Sequence, residues 1–97
     1  MGERYESLDP VLNSQVRLAV VSILVKVKQA DFQTLLNGTE TTQGNMSQQL
    51  KRLAEEGYIT IGKTYRKNYP CTVCTITPKG RRAFEKYVEG VRRYLNL

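Results

Sequence analysis

The segment from Thr42 to Arg52 carries polar side chains of the kinds that read the edges of nucleic-acid bases. Asparagine and glutamine amides can pair with adenine through two hydrogen bonds, and an arginine guanidinium can do the same with guanine. A glycine at a helix start lets the backbone approach a phosphate, because the unpaired N–H groups there favour an anion. The residues that we predict to contact DNA here are Thr42, Gln43, Gly44, Asn45, Gln48, Gln49 and Arg52. The alternative is an ordinary solvated helix face.

A second group of cations follows, in which Lys63, Arg66 and Lys67 are interleaved with Tyr65 and Tyr69. Basic side chains at the tip of a hairpin can contact the phosphates of a duplex or reach its minor groove. Such contacts contribute affinity and salt dependence more than sequence discrimination. We therefore predict that these three cations bind DNA, although the same loop could serve only to keep the protein soluble.

Cys71 and Cys74 form a Cys-x-x-Cys pair, which invites a metal or redox interpretation. A structural zinc site needs four ligands, and the chain has no histidine to complete one. Side chains three residues apart on a strand point to opposite faces, which works against a shared metal or a disulfide. We predict no metal and no cofactor, with Cys74 in the core and Cys71 half-exposed. Pooling of four thiolates by two chains remains an alternative.

The positive charge of the chain is concentrated in its second part. The 97 residues include 15 lysines and arginines against 9 aspartates and glutamates, for a formal charge of +6. Residues 1–40 carry four basic and five acidic side chains, whereas residues 41–97 carry eleven basic and four acidic ones. Such asymmetry is expected for a surface that binds a polyanion, although many basic proteins are merely soluble.

Length and composition exclude several classes of protein. A chain of this size fits one domain, over residues 1–97. Because it lacks histidine, a glycine-rich phosphate loop and any paired set of catalytic carboxylates, we predict that it is not an enzyme. The longest apolar run, Leu18 to Val25, is far shorter than the roughly 20 residues that span a bilayer. Residues 1–8 lack the apolar core of a signal peptide, so we expect a cytoplasmic protein with no membrane partner.

Apolar periodicity predicts two helices in the first 40 residues. Asn13 or Ser14 can cap a helix that runs to about Lys28, with apolar residues recurring at steps of three and four. Asp31 can cap a short helix over 32–37.

A third helix carries the base-reading candidates. Thr41 or Thr42 can cap it, and it runs to about Glu56, with Gly57 as the residue that ends it. Its predicted buried stripe is Met46, Leu50 and Leu53. That stripe turns Gln48 away from the core.

The apolar period then changes from about 3.6 to 2, which indicates strands over 58–63 and 72–77. Ile59 and Ile61 share one face of the first strand. The polar and basic segment 64–70 between the strands is predicted to form the loop of a hairpin.

A final helix is predicted over 78–95, capped by Thr77. Lys79, Arg81 and Arg82 lie in its first turn, where the helix dipole disfavours cations. A nearby polyanion would explain them, and so would surface solubility.

A short helix joined by a turn to a second helix, followed by a β-hairpin, predicts an α+β winged helix-turn-helix fold. It would have a three-helix core, a two-stranded wing and a C-terminal helix. The runs Ala30 to Phe32, Thr42 to Ser47, Leu50 to Ile59 and Thr77 to Arg81 resemble small stand-alone winged-helix transcriptional regulators. These are similar to the MarR and ArsR groups of bacterial and archaeal repressors. The resemblance covers roughly residues 10–95.

The resemblance implies that the helix over 42–56 enters the major groove, and that the wing over 63–70 lies on the backbone or in the minor groove. Typical MarR proteins are longer, with extra helices that build the dimer and a ligand cleft, so this chain has little room for that cleft. Their wing often carries a bracing Asp-x-Arg pair, whereas here Arg66 has no aspartate beside it.

A regulator with one recognition helix usually acts as a symmetric dimer, because two half-sites then match two helices. The apolar stripe of the final helix exceeds what packing within so small a domain should use. We expect its start to pack within the chain and its end to pair with the segment before the first helix of a partner. The predicted interface residues are Tyr5, Leu8, Val11, Leu12, Val88, Val91 and Leu95. The alternative is that the stripe only folds back on the first helix.

The sequence therefore predicts a homodimeric regulator, in particular a repressor, that binds double-stranded DNA and responds to an effector if one exists. Two alternatives stay open. One is a winged-helix module that binds another protein, and the other is a winged-helix RNA binder.

Overall fold

The computed structural model describes residues 4–97 as four helices and a three-stranded antiparallel sheet. The elements in chain order are α1 (Gln15–Val27), β1 (Gln29–Asp31), α2 (Phe32–Asn37), α3 (Gln43–Glu55), β2 (Ile59–Arg66), β3 (Tyr69–Ile76) and α4 (Pro78–Leu95). The predicted α+β winged helix-turn-helix class is confirmed.

Each helix begins at a side-chain cap, which satisfies one of the backbone N–H groups that have no partner inside the helix. The four caps are Ser14, Asp31, Thr42 and Thr77, and each accepts a hydrogen bond from the backbone N–H three residues later. Gly57 follows α3 with a φ of 85°, as predicted for the residue that ends that helix. The helix boundaries read from the sequence are thus correct to within one or two residues.

Strand β1 is an element that the sequence did not reveal. Its three residues are too few to show alternation, and it pairs Ala30 with Cys74 of β3. The chain reaches it through a sharp turn at Lys28, whose φ is 75° and whose carbonyl accepts a hydrogen bond from the N–H of Ile76 at 3.0 Å. The predicted two-stranded wing is therefore part of a three-stranded sheet in the order β1-β3-β2.

The predicted loop over 64–70 is wrong. Strands β2 and β3 continue to Arg66 and Tyr69, and only Lys67 and Asn68 connect them. Both connecting residues have positive φ, at 50° and 69°, as the tight turns that match strand twist require. The hairpin thus extends beyond the core, which is why Ile61 is 42% exposed although it shares a face with the buried Ile59.

The core lies between the helices and the inner face of the sheet. The largest fully buried side chains are Leu12, Leu24, Leu35, Met46, Leu53, Val20, Val21 and Cys74. Cys74 is buried and Cys71 is partly exposed, as predicted, and both are free thiols. Burial raises the pKa of the Cys74 thiol to about 11, so this thiol is unreactive at neutral pH.

The start of α4 packs closely on the segment that joins α3 to β2. A Cβ atom at Gly80 would lie 2.2 Å from the carbonyl oxygen of Tyr58, so only glycine permits this approach. Two of the three cations of the first turn have partners within the chain. Lys79 Nζ donates to the carbonyl of Glu56 at 2.9 Å, and Arg81 donates to that of Val25 at 3.5 Å. For these two residues the suggested polyanion is unnecessary, because they bind carbonyls at the C-terminal ends of α3 and α1.

The segment before α1 packs within its own chain. Val11 and Leu12 are 3% and 0% exposed, so they have no surface to offer a partner, and their prediction as dimer residues is wrong. Tyr5 packs against Tyr94 with ring centroids 5.0 Å apart. Leu8 packs where Gly90 leaves room, since a Cβ there would lie 2.8 Å from Leu8 Cδ2. The expected pairing of this segment with α4 thus occurs within one chain.

Candidate nucleic-acid interface

Helix α3 buries one side and exposes the other. Met46, Leu50 and Leu53 are at most 2% exposed, as the sequence predicted. At about 100° of rotation per residue, the residues farthest from this stripe are Gly44, Gln48, Lys51 and Glu55, and all four are exposed. The outer face of α3 therefore presents a bare stretch of backbone at Gly44, an amide and an ammonium group in the middle, and a carboxylate at its C-terminal end.

One flank of α3 is tied to the rest of the protein by a chain of hydrogen bonds. Asn45 Nδ2 donates to the Thr41 hydroxyl at 2.6 Å, and Gln49 Nε2 donates to Asn45 Oδ1 at 3.0 Å. Gln49 Oε1 accepts from the guanidinium of Arg17, whose Nε also donates to the carbonyl of Val11 at 2.6 Å. Asn45 and Gln49 thus use their amides to orient the helix on α1, although the sequence placed them among the base readers.

The opposite flank of α3 is open. Ser47 and Lys51 are not among the residues predicted from the sequence to contact DNA, but both side chains are exposed near Gln48. The signal was available, because Lys51 lies three residues after Gln48 and seven after Gly44, on the same face of a helix. A Cβ at Gly44 would meet nothing within 4 Å, so packing does not require glycine there.

The remaining predicted residues of α3 lie at its two ends. Thr42 accepts a hydrogen bond from the N–H of Asn45 at 3.1 Å as the helix cap, and Gln43 is exposed in the first turn. Arg52 has a half-exposed side chain and a long contact of 3.9 Å with Glu56. An exposed ion pair of this length contributes little, so the guanidinium is available to a ligand.

The open flank of α3 faces the wing across a shallow groove. The groove has a volume of about 480 Å³ and is lined by Phe32, Gln43, Gly44, Ser47 and Thr72. Because these residues come from α2, α3 and β3, the groove makes the start of α3 continuous with the hairpin. A ligand on the outer face of α3 can therefore contact the wing as well.

The three cations of the wing differ in their contacts: one forms an ion pair, and the other two do not among residues 4–97. Arg66 Nη1 donates to Asp31 Oδ2 at 3.1 Å, whereas Lys63 and Lys67 are exposed without an ion pair among the described residues. Asp31 also caps α2, since its Oδ1 accepts from the Thr34 N–H at 2.8 Å. The aspartate that braces the wing thus comes from the end of β1, outside the hairpin.

Asp31 is held in its charged form by these contacts. The hydrogen bond from the backbone N–H of Thr34 is the main cause of its lowered pKa, and the charge of Arg66 contributes further. A carboxylate that is ionised at neutral pH can serve α2 and the wing together.

Residues 16–95 match a family of known proteins, described as the winged helix DNA-binding domain. The chain belongs to this family. An uncharacterized protein of Methanocaldococcus jannaschii is 33% identical to it over 78 residues, which cover 80% of this chain and 85% of that protein.

Solved structures have the same winged-helix fold. A transcriptional regulator homologue from Pyrococcus horikoshii OT3 superposes with a TM-score of 0.82 at 22% identity, over 89% of this chain and 85% of the other. NadR in complex with 4-hydroxyphenylacetate gives a TM-score of 0.70 at 21% identity, over 90% and 64% of the two chains. BpsR of Bordetella bronchiseptica gives 0.71 at 16% identity, over 92% and 62%.

In this winged-helix chain, no helix among residues 4–97 has the length and apolarity needed to cross a membrane. Among the same residues, no three histidine, cysteine or acidic side chains are grouped as metal ligands would be. Cys71 and Cys74 therefore gain no third ligand from residues 4–97.

Proposed function

We propose that the protein is a homodimeric transcriptional regulator that binds double-stranded DNA by sequence. Helix α3 occupies the major groove, and the wing contacts the backbone or the minor groove. Repression is the role that the resemblance to the MarR and ArsR groups implies. The observation that carries the proposal is the exposed polar face of α3, which is continuous with a basic hairpin and belongs to a winged helix DNA-binding domain.

The geometry supports different roles for the predicted contact residues: base reading, phosphate binding and positioning of α3. Gln48 is the central base reader, with Ser47 and Arg52 on either side of it. Lys51, Lys63 and Lys67 bind phosphates, because their flexible ammonium groups favour point contacts over base recognition. Gly44 and Gln43 belong to the helix start, where exposed N–H groups bind a phosphate. Asn45 and Gln49 act as positioning residues through Arg17.

The proposed dimer uses the end of α4. Val88 and Leu95 are exposed and Val91 is partly buried, so the predicted apolar stripe remains accessible in the single chain. Tyr5 and Leu8, by contrast, are engaged by Tyr94 and Gly90 of their own chain. Of the interface residues predicted from the sequence, the proposed interface therefore keeps only Val88, Val91 and Leu95.

Selection of bound duplexes from a random pool tests this function. Recovery of a two-fold symmetric consensus, with half-sites about one helical turn apart, is the expected result. Binding of the selected duplex should weaken steeply with salt, because lysine and arginine release counterions from the phosphates. A pool without enrichment, together with capture of RNA or of another protein, would instead support one of the two alternative functions.

Two of the similar structures are described with aromatic acids: NadR was solved with 4-hydroxyphenylacetate, and BpsR is described as regulated by 6-hydroxynicotinic acid. This chain has a cavity of about 490 Å³ between residues 6–11, the end of α3 and α4. Its lining combines Arg52 and Lys86 with the acidic Glu6, Asp9 and Glu56, so a carboxylate there would meet more acidic than basic side chains. The cavity therefore does not support an acidic effector of this kind.

A further inference from the structure

The exposed side of α4 carries an apolar stripe with the spacing of a coiled coil. Phe84, Val88, Val91 and Leu95 are separated by four, three and four residues, which is the alternating d and a pattern of heptads. Val88 and Leu95 are 37% and 60% exposed, while Phe84 and Val91 also pack against the core of their own chain. One edge of the stripe, Phe84 and Val91, therefore packs on the domain. The other edge, Val88 and Leu95, is exposed, and no residue among 4–97 covers it.

A groove of about 340 Å³ runs along this stripe. Its second wall is α1, which contributes Leu18 and Ser22. Tyr5 and Leu8 do not cover the groove, because they pack on the side of α4 that carries Gly90 and Tyr94. The groove thus has the shape and apolar lining that accept a helix from another molecule.

Two opposite charges border the stripe on one side. Glu85 and Arg92 are seven residues apart, so they lie on one flank of α4, each directly after a d residue, at position e of the heptad. In an antiparallel pair of identical helices, the e positions face each other across a two-fold axis. Residue 85 of each helix then lies opposite residue 92 of the other, and the pair gains two complementary contacts.

The same register also matches the apolar residues. When Val88 of one helix lies against Val91 of the partner subunit, Phe84 lies against Leu95 of the partner subunit. A parallel pair would instead bring position e against position g, which places Arg92 near Tyr87 and Glu85 near Gly80. Only the antiparallel orientation therefore gives both charges a partner.

We propose that the groove between α1 and α4 binds α4 of a second copy in antiparallel orientation, with Glu85 of each subunit paired with Arg92 of the partner subunit. This inference rests on the homodimer in the proposed function and specifies its orientation. Within one chain Arg92 has an exposed contact of 3.6 Å with Glu89, which is weak enough to be exchanged for the contact between subunits.

Charge exchange tests the register, with dimer dissociation measured by sedimentation at low salt. Glu85→Arg and Arg92→Glu each place like charges opposite one another twice per dimer. Each should raise the dissociation constant about ten-fold or more, because two exposed ion pairs are replaced by two repulsions between like charges. The double variant should return close to the parent value. An equimolar mixture of the two single variants should also form heterodimers, because all four charges are then paired.

Two further variants test whether dissociation depends on the position of the charge or only on the net charge, and whether the apolar stripe forms the interface. Lys86→Glu changes the net charge as much as Arg92→Glu does but lies on the far side of α4, so it should leave dissociation unchanged. Val88→Asp places a charge at the centre of the stripe and should give folded monomers.

The outcomes distinguish this inference from the function on which it rests. Two results with a dimeric parent would overturn the register. In the first, the single charge variants have the dissociation constant of the parent. In the second, neither the double variant nor the mixture of single variants restores dimerisation. A parent that is monomeric at tens of micromolar overturns the dimer, even if it binds a half-site duplex. A parent that shows the exchange pattern without binding any duplex supports the interface and contradicts the DNA-binding function.

Discussion

The two flanks of α3 carry similar polar residues and have different surroundings. Asn45 and Gln49 are joined to Thr41 and Arg17 by hydrogen bonds, whereas Ser47 and Gln48 face solvent. The wing repeats this division, since Arg66 is braced by Asp31 and Lys63 is exposed. Residue type alone therefore does not separate a residue that binds a ligand from one that positions the element.

Breaking the tied flank should have the largest effect on folding. Arg17→Met removes the donor to Gln49 and to the carbonyl of Val11, and leaves two partly buried acceptors without a partner. The expected loss is about 1–3 kcal/mol in the free energy of unfolding, measured by chemical denaturation. DNA affinity should fall as well, because α3 loses its attachment to α1. Lys26→Met, on the exposed end of the same helix, is the control; equal stability of the two variants would show that the network is not structural.

Two adjacent glutamines provide the sharpest comparison of the flanks. Gln48→Ala should keep the parent stability within about 0.5 kcal/mol and weaken binding to the selected duplex by roughly 1–3 kcal/mol. Gln49→Ala should instead lower the free energy of unfolding by about 1 kcal/mol, with less loss of discrimination between duplexes. Denaturation and fluorescence anisotropy on both variants check this. If Gln49→Ala changes the preferred sequence and Gln48→Ala does not, the assignment of the flanks is reversed.

The sequence predicted α3 and its buried stripe because helical periodicity repeats over more than three turns. It did not predict the Asn45 to Arg17 network, because Arg17 and Gln49 are 32 residues apart and only the packing of α1 on α3 brings them together. Strand β1 was missed for a related reason: three residues carry no periodic signal, and their pairing depends on β3. Val11 and Leu12 looked like interface residues, since they precede the first helix and nothing local shows that they fold back onto the core.

The free cations of the wing should show a salt effect with little change in folding. Replacing Lys63 and Lys67 by glutamine should weaken binding to all duplexes to a similar extent. The slope of log affinity against log salt should fall by about two units if each lysine contacts one phosphate. Anisotropy titrations at several salt concentrations measure the slope, with Lys86→Gln as a control outside the wing. An unchanged slope would mean that the hairpin does not touch the DNA backbone.

The smallest effect is expected at Asp31, where one carboxylate serves two elements. Asparagine is also a good helix cap, so Asp31→Asn should keep the start of α2. It should lose the ion pair with Arg66 and the charge-assisted part of the Thr34 hydrogen bond, a few tenths of a kcal/mol for so exposed a partner. Asp31→Ala should lose about 1 kcal/mol more, because the cap is lost too. The pKa of Asp31 is lowered in the folded protein, so its carboxylate stabilises the fold above the ordinary pKa of 3.8, and this contribution disappears as the pH falls through the lowered value. Unfolding followed from neutral to acidic pH should therefore show a difference between parent and Asp31→Asn at neutral pH that vanishes in acid. If the difference persists or grows in acid, the charge of the Asp31 carboxylate does not stabilise the fold.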